Sequence, residues 1–135
     1  MIGLDTNIRA RYLLNDPPEQ ADIAETLLHG SEICTAPVTV FLELVWVLES
    51  YDCDRNEIVG AIRLLCGLEN LKPQNFDALA YALLRYEGGM DFADALHLAM
   101  SAKETELKTF DRLFIKKAHE LMAYPAVTLP GTRAQ

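Results

Sequence analysis

Residues 32–50, "EICTAPVTVFLELVWVLES", place a short strand, a proline and a long apolar helix in succession. The same alternation recurs along the chain, because the short runs "MIGL", "NLKP", "LKTF" and "AVTLP" also lie between segments of helical character. Strands separated by helices predict a parallel sheet covered by helices on both faces. The sequence therefore predicts an α/β fold, in one domain over residues 1–130, followed by a disordered C-terminal tail, residues 131–135.

Seven segments carry the spacing or the end signals of helices. They are "TNIRARYLLN", "EQADIAETLLHG", "VTVFLELVWVLES", "DRNEIVGAIRLLCGLEN", "NFDALAYALLRYEGG", "DFADALHLAMSAKE" and "RLFIKKAHELM". Asp54 is a plausible N-cap of the fourth, with Ile58, Ile62 and Leu65 facing inward. "NLKP" is expected to be a short edge strand.

Charge and cysteine content restrict the class of protein. The net charge of −8 and the pI near 4.8 argue against a general nucleic-acid coating protein, which would be basic. The same net charge and pI are compatible with an enzyme that binds nucleic acid in one local groove. The three cysteines form no CxxC pair, and no signal peptide precedes "MIGLDTN", so reduced thiols in the cytoplasm are expected. No apolar run reaches membrane-spanning length.

Glu43 stands inside an otherwise apolar helix, residues 38–50. A helix that is apolar all round is normally buried, and burying an unpaired carboxylate is costly. Glu43 could be protonated, could pair with a buried arginine, or could reach the protein surface. The functional alternative is that Glu43 coordinates a cation together with other carboxylates.

Three further acids are candidates for that shared cation. Asp5 ends the first strand, Asp111 ends the strand "LKTF", and Asp94 lies in the first turn of its helix. In parallel sheets the ligand site lies off the carboxyl ends of the strands. Acids gathered there, with Glu43, would repel one another unless a cation neutralised them, and Mg²⁺ prefers carboxylate oxygens.

Each acid also has a purely structural interpretation. Asp5 and Asp111 could cap the helices that follow them, and Asp91 could cap a helix whose first turn holds Asp94. The alanines at 95, 99 and 102 predict a close-packed helix side, so Asp94 is not expected to face open solvent. His97 is expected to be a core or rim residue rather than a ligand.

Basic residues could flank the acidic rim and hold phosphates. The candidates are Arg9, Arg11, Arg112 and the pair Lys116-Lys117. The alternative is that the lysine pair belongs to a solvated face.

At four places the chain resembles the PIN-domain nucleases. These are "GLDTN", the glutamate on the helix after the second strand, "DFADALHLA", and "TFD" after a strand. More closely, the chain is similar to the VapC-type toxins of bacterial toxin–antitoxin pairs, over essentially its whole length. The resemblance implies a three-layer sandwich with a five-stranded parallel sheet ordered 3-2-1-4-5, in which Asp5 lies beside Asp111.

The resemblance also implies an activity, which is hydrolysis of RNA by a Mg²⁺-dependent endoribonuclease, with Mn²⁺ as a possible substitute. The implied catalytic metal ligands are Asp5, Glu43, Asp94 and Asp111, supported by Thr6, Asn7 and Asp91. It further implies a homodimer and an antitoxin protein that occupies the site, with DNA contacted only through that antitoxin. A housekeeping RNA-processing nuclease and a non-catalytic metal-binding or partner-binding module are the alternatives.

Two other classes of acidic α/β protein fit less well. A receiver domain needs an acid pair at the first strand and an acid at the third, whereas "LDTN" has one acid and "NLKPQ" none. A haloacid-dehalogenase-type phosphatase needs D-x-D, where this chain has Asp5-Thr6-Asn7. No Gly-rich phosphate loop is present.

Overall fold

The structure is a computed structural model that describes residues 1–14 and 17–131, with the side chain of Asn7 also outside the description. Seven helices and five strands lie in these residues, and every strand pair is parallel, so the predicted α/β class is confirmed. The chain divides into two compact units, Met1–Phe76 and a second that begins at Asp77. The single-domain assignment over residues 1–130 and the disordered tail stay predictions, and residues 132–135 lie outside the described ones.

The first unit contains a three-stranded parallel sheet with the order β1-β2-β3. Its elements are β1 (Ile2–Gly3), α1 (Thr6–Leu14), α2 (Pro18–Leu28), β2 (Cys34–Ala36), α3 (Val38–Ser50), α4 (Arg55–Cys66) and β3 (Leu71–Pro73). Register pairs Ile2 with Cys34 and Cys34 with Leu71. The strand predicted from "NLKP" is β3, which lies at the end of this sheet as predicted.

Local sequence determines where α4 begins. The Asp54 carboxylate accepts a hydrogen bond from the Glu57 N–H at 2.8 Å, and the Glu57 carboxylate accepts one from the Asp54 N–H at 3.0 Å. This reciprocal pair satisfies two N–H groups that a helix start leaves unpaired. The predicted inward residues Ile58, Ile62 and Leu65 are fully buried. Both predictions for this helix are therefore confirmed.

Helix α3 is not apolar on all sides, as its sequence had suggested. Phe41, Leu44 and Val45 are fully buried, but Glu43 is exposed and the Trp46 side chain is 53% exposed. Spacing of three to four residues places Glu43 and Trp46 on one stripe of the helix. The predicted all-round burial is wrong, and of the three structural alternatives Glu43 follows the one in which it reaches the surface. The alternative that Glu43 coordinates a cation stays a prediction.

The second unit contains a two-stranded parallel sheet. Its elements are α5 (Phe76–Glu87), α6 (Phe92–Met100), β4 (Glu106–Lys108), α7 (Arg112–Glu120) and β5 (Ala126–Thr128). The Tyr86 and Phe92 rings pack edge to face with their centroids 5.6 Å apart. Helix α6 ends at Met100, so Ala102, predicted on its close-packed side, lies beyond the helix and is exposed.

The five strands form sheets of three and two, not the single five-stranded sheet that was predicted. The orders 3-2-1 and 4-5 agree with the prediction, but a ladder between β1 and β4 is not among the described strand pairs. Only two residues belong to β1, and its ladder is made with β2. The strand pairing that was to place Asp5 beside Asp111 is therefore not found.

Among residues 1–14 and 17–131, no helix combines the length and the apolar character needed to cross a bilayer.

Candidate functional site

Asp5, Thr6 and Glu43 form the first group of predicted site residues, in the first unit. The Leu4 N–H donates to the Thr35 carbonyl at 2.9 Å, so strand pairing continues to the residue before Asp5. Helix α1 then begins at Thr6. The chain therefore presents the Asp5 carboxylate where strand pairing gives way to a helix, and this carboxylate is exposed.

Thr6 connects the two carboxylates of this group. Its hydroxyl donates to Glu43 Oε2 at 3.2 Å, and its N–H donates to Asp5 Oδ1 at 2.7 Å. The Thr6 side chain is itself buried, with 5% of its surface exposed. A buried donor holds these exposed acceptors in place, and the predicted role of Thr6 in supporting metal ligands stays a prediction. The side chain of Asn7, predicted for the same role, lies outside the described residues.

Asp91, Asp94 and Asp111 form the second group, in the second unit. Asp91 caps α6, because its Oδ2 accepts from the Asp94 N–H at 3.1 Å. Asp111 caps α7, because its Oδ1 accepts from the N–H groups of Leu113 and Phe114 at 3.0 and 3.1 Å. The cap interpretation, left open by the sequence, is therefore correct for both residues.

The position predicted for Asp111 relative to its strand needs correction. Strand β4 ends at Lys108, three residues before Asp111, whereas "LKTF" was predicted to be strand up to Phe110. The Thr109 N–H still donates to the Thr128 carbonyl at 3.0 Å, and Phe110 then turns outward. Asp111 is thus a helix cap three residues after the strand rather than its last residue.

The three aspartates of the second group line one cleft, which has a volume of about 630 Å³. Burial raises the pKa of the Asp94 carboxyl, and the negative charges of Asp91 and Asp111 raise it further, while His97 opposes them. His97 itself is exposed. Three carboxylates in one cleft are mutually repulsive, so the cleft favours a proton or a cation over a third free charge.

The donor atoms of these residues suit a hard divalent cation, which prefers carboxylate oxygens and keeps several waters. Each capping aspartate uses one oxygen for its helix, and within the described residues the other oxygen accepts no hydrogen bond. Among the same residues, no three His, Cys, Asp or Glu side chains are arranged around a single point as a metal site. The chemistry of the second group therefore fits a metal, although a complete coordination set is not formed.

Helix α7 brings positive charge to the same cleft. Lys116 and Lys117 both line it. Lys117 pairs with Glu120 at 3.1 Å, whereas Lys116 is exposed and makes no ion pair with the described residues. Arg112 is also exposed, one helical turn before Lys116. The predicted phosphate contacts at Arg112 and Lys116 are thus accessible side chains beside the acidic cleft.

Arg9, predicted to hold RNA phosphates, is instead a core residue. Its side chain is 0% exposed, and its guanidinium carbon lies 5.0 Å from the centre of the Phe41 ring. None of its three nitrogens has a hydrogen-bond partner within the described part of the chain, and burial lowers its pKa to about 10. The prediction is wrong because α1 turns Arg9 inward. Arg11, on the same helix, is half-buried and donates to Gln20 Oε1 at 2.9 Å, and its role stays a prediction.

The cleft also has lining residues that sequence reasoning did not select, namely Gly89, Met90, Leu113, Phe114 and Glu120. Gly89 has φ +108°, a conformation that suits glycine, so the Gly88-Gly89 pair was a usable signal for the turn before α6. The remaining four residues lie next to Asp91 or on α7. Their sequence alone does not show that they surround a cleft.

Comparison with known proteins identifies the family. The PIN domain family model matches residues 2–120, which is most of the chain. The chain therefore belongs to the PIN domain family. No curated protein matched the chain.

Proposed function

We propose that this PIN-domain protein is a divalent-metal-dependent endoribonuclease that uses Mg²⁺, with Mn²⁺ as a substitute. PIN domains are generally metal-dependent nucleases. The observation that carries the proposal is the cleft in which burial, together with the negative charges of Asp91 and Asp111, raises the pKa of Asp94 next to exposed basic side chains. A cation would relieve that repulsion, and the basic side chains suit a phosphodiester.

Asp5, Glu43, Asp94 and Asp111 are the proposed acidic residues of the reaction, with Thr6 and Asp91 in support. A bound divalent ion would supply a water of lowered pKa as nucleophile and stabilise negative charge on phosphate. Burial and the neighbouring charges of Asp91 and Asp111 disfavour a free Asp94 carboxylate, and a bound cation would offset both effects. Thr6 restrains Asp5 and Glu43 through its two hydrogen bonds, so both carboxylates are oriented before a ligand arrives.

Arg112 and Lys116 are proposed to bind the phosphates that flank the scissile bond. They lie one turn apart on α7 and are exposed. In a chain of net charge −8, this local positive surface would draw the RNA backbone toward the cleft. Arg9 is excluded from this role by its burial.

The proposal is tested by incubating a total-RNA pool with purified protein in Mg²⁺, in Mn²⁺ and with a chelator. Asp94→Asn and Asp111→Asn should each lose at least about 100-fold in rate, more than changes to outer-shell groups usually cost. Asp77→Asn is the control, because Asp77 is an exposed acid in the first turn of α5.

Asp111 allows catalysis and folding to be separated. Asparagine caps helices about as well as aspartate, so Asp111→Asn should keep the stability of the wild type while losing cleavage. Asp111→Ala should lose both activity and about 1 kcal/mol of stability, because two N–H groups of α7 lose their acceptor. Metal-independent cleavage, or full activity of Asp94→Asn, would overturn the proposed function.

We also propose that the nuclease is the toxin of a toxin–antitoxin pair. The support is the set of motifs "GLDTN", "DFADALHLA" and "TFD", which are similar to those of VapC-type toxins. The proposed partners are a cognate antitoxin and a second copy of this chain.

The toxin role is tested by expression in the host. The wild type should arrest growth, whereas Asp94→Asn should not. Co-expression of the protein encoded by a small upstream reading frame should restore growth. Growth arrest that persists in Asp94→Asn would contradict this role.

A further inference from the structure

Phe110 is an exposed aromatic residue that directly precedes a residue of the acidic cleft in the chain. Its side chain is 82% exposed, and the next residue is Asp111, which lines the cleft and caps α7. Burying a phenylalanine side chain stabilises a fold, and the fold forgoes that gain at this position. Single exposed apolar residues are common, so exposure alone does not distinguish Phe110 from other surface residues.

The backbone on both sides of Phe110 is fixed. The Thr109 N–H donates to the Thr128 carbonyl at 3.0 Å, and the Thr109 hydroxyl accepts from the Asp111 N–H at 3.0 Å. Asp111 is held in turn by its cap bonds to α7. The ring is thus presented from an anchored segment, which lowers the entropy lost when it binds a flat partner.

The surroundings of Phe110 favour a nucleic acid base over a protein partner. Leu113, two residues after Asp111, is 78% exposed. The cations Arg112 and Lys116 lie on the same helix and are also exposed. A protein interface core is depleted in charged residues. Aromatic faces interspersed with cations are instead the arrangement that binds single-stranded nucleic acid, because bases stack on the ring while cations meet phosphates.

We infer that Phe110 is a positioning residue whose ring stacks on an unpaired base next to the scissile phosphate. This inference rests on the proposed nuclease function and adds a requirement to it. The base must leave its own stack to reach the ring, so the nucleotide beside the cleaved bond has to be unpaired. Arg112 and Lys116 hold the adjoining phosphates while stacking fixes the register of the strand.

The test compares Phe110→Leu, Phe110→Trp and Tyr51→Leu on a short oligoribonucleotide that contains one cleavage site found in the RNA pool. Tyr51 is a matched control, because it is an aromatic residue 56% exposed in the other unit. Stacking of one base is worth about 1–3 kcal/mol, so Phe110→Leu should raise KM about 5- to 150-fold with little change in kcat. Phe110→Trp and Tyr51→Leu should keep the KM of the wild type.

Two additional readouts separate stacking from a structural role. In a Trp46→Phe background, the fluorescence of Phe110→Trp should be quenched when the oligoribonucleotide binds in the presence of chelator, where cleavage is stopped. Annealing the substrate to its complement should weaken its binding to the wild type, measured in chelator, to the level of Phe110→Leu, because a paired base cannot reach the ring.

The outcomes distinguish this inference from the proposed function. If the wild type and Phe110→Leu cleave the oligoribonucleotide with equal KM, the stacking role is refuted but the proposed nuclease function is not. The stacking role would also be refuted if the oligoribonucleotide binds in the presence of chelator without quenching the fluorescence of Phe110→Trp. Absence of cleavage by the wild type in every metal condition would instead contradict the nuclease itself, and with it the inference that depends on it.

Discussion

Replacing Arg9 by methionine should stabilise the protein. The guanidinium is 0% exposed, and its three nitrogens find no hydrogen-bond partner among the described residues. A buried charge without a partner loses its hydration and receives nothing equivalent in return. Methionine is unbranched and flexible, so it can occupy the same channel between the surrounding side chains without a charge.

The size of the effect follows from two opposing contributions. Burial lowers the Arg9 pKa to about 10, a shift worth about 3 kcal/mol against the charged form at neutral pH. The Phe41 ring, 5.0 Å from the guanidinium carbon, offers a cation–π interaction that returns about 1–2 kcal/mol. The burial penalty is the larger of the two, so Arg9→Met should gain about 1–2 kcal/mol.

The pH range of this gain is also set by the pKa. The unfolded chain binds the Arg9 proton more tightly than the folded one, so the penalty is fully present below pH 10. It fades only as the pH rises from about 10 toward the ordinary arginine value. The advantage of Arg9→Met should therefore be constant between pH 6 and pH 9.

Urea unfolding of the metal-free protein, followed by far-ultraviolet circular dichroism, measures the difference. Arg11→Met is the matched control on the same helix, where a half-buried arginine that donates to Gln20 is changed with no expected gain. Arg9→Lys keeps a buried charge and should not reproduce the stabilisation. A loss of more than 1 kcal/mol in Arg9→Met would show that the guanidinium has a partner, and would refute the reasoning.

Three further predictions concern helix α4 and the cleft. Gly60→Ala should raise the free energy of unfolding by about 0.5–1 kcal/mol, because Gly60 lies inside α4 and a methyl group there meets no atom within 4 Å. Gly89→Ala should lower it, because Gly89 has φ +108°, and equal changes in the two urea midpoints would contradict this. Asp94→Asn should stabilise the metal-free protein at pH 7 but not below the ordinary aspartate pKa. Since the folded-state pKa of Asp94 is raised, its contribution to stability is lost as the pH rises through that value, and an unchanged pH dependence of the melting temperature in Asp94→Asn would refute this.

The elements of this protein were largely readable from local sequence. The start of α4 needs only Asp54, Glu57 and the spacing of Ile58, Ile62 and Leu65, because capping and periodicity act within one helix. The caps at Asp91 and Asp111 were among the recognised alternatives for the same reason. Strand lengths were overestimated, since pairing partners and not residue preference decide where a ladder stops, as at Lys108.

The sequence by itself determined the alternation of strands and helices, the PIN motifs and the candidate carboxylates, because each depends on residue type and short spacing. Only the tertiary structure decided that Arg9 points into the core while Glu43 points out of it. Both are charged residues within helices, and which helix face is covered depends on neighbours distant in sequence. The same holds for Phe110, which the sequence placed in a strand and the structure leaves exposed one residue before Asp111.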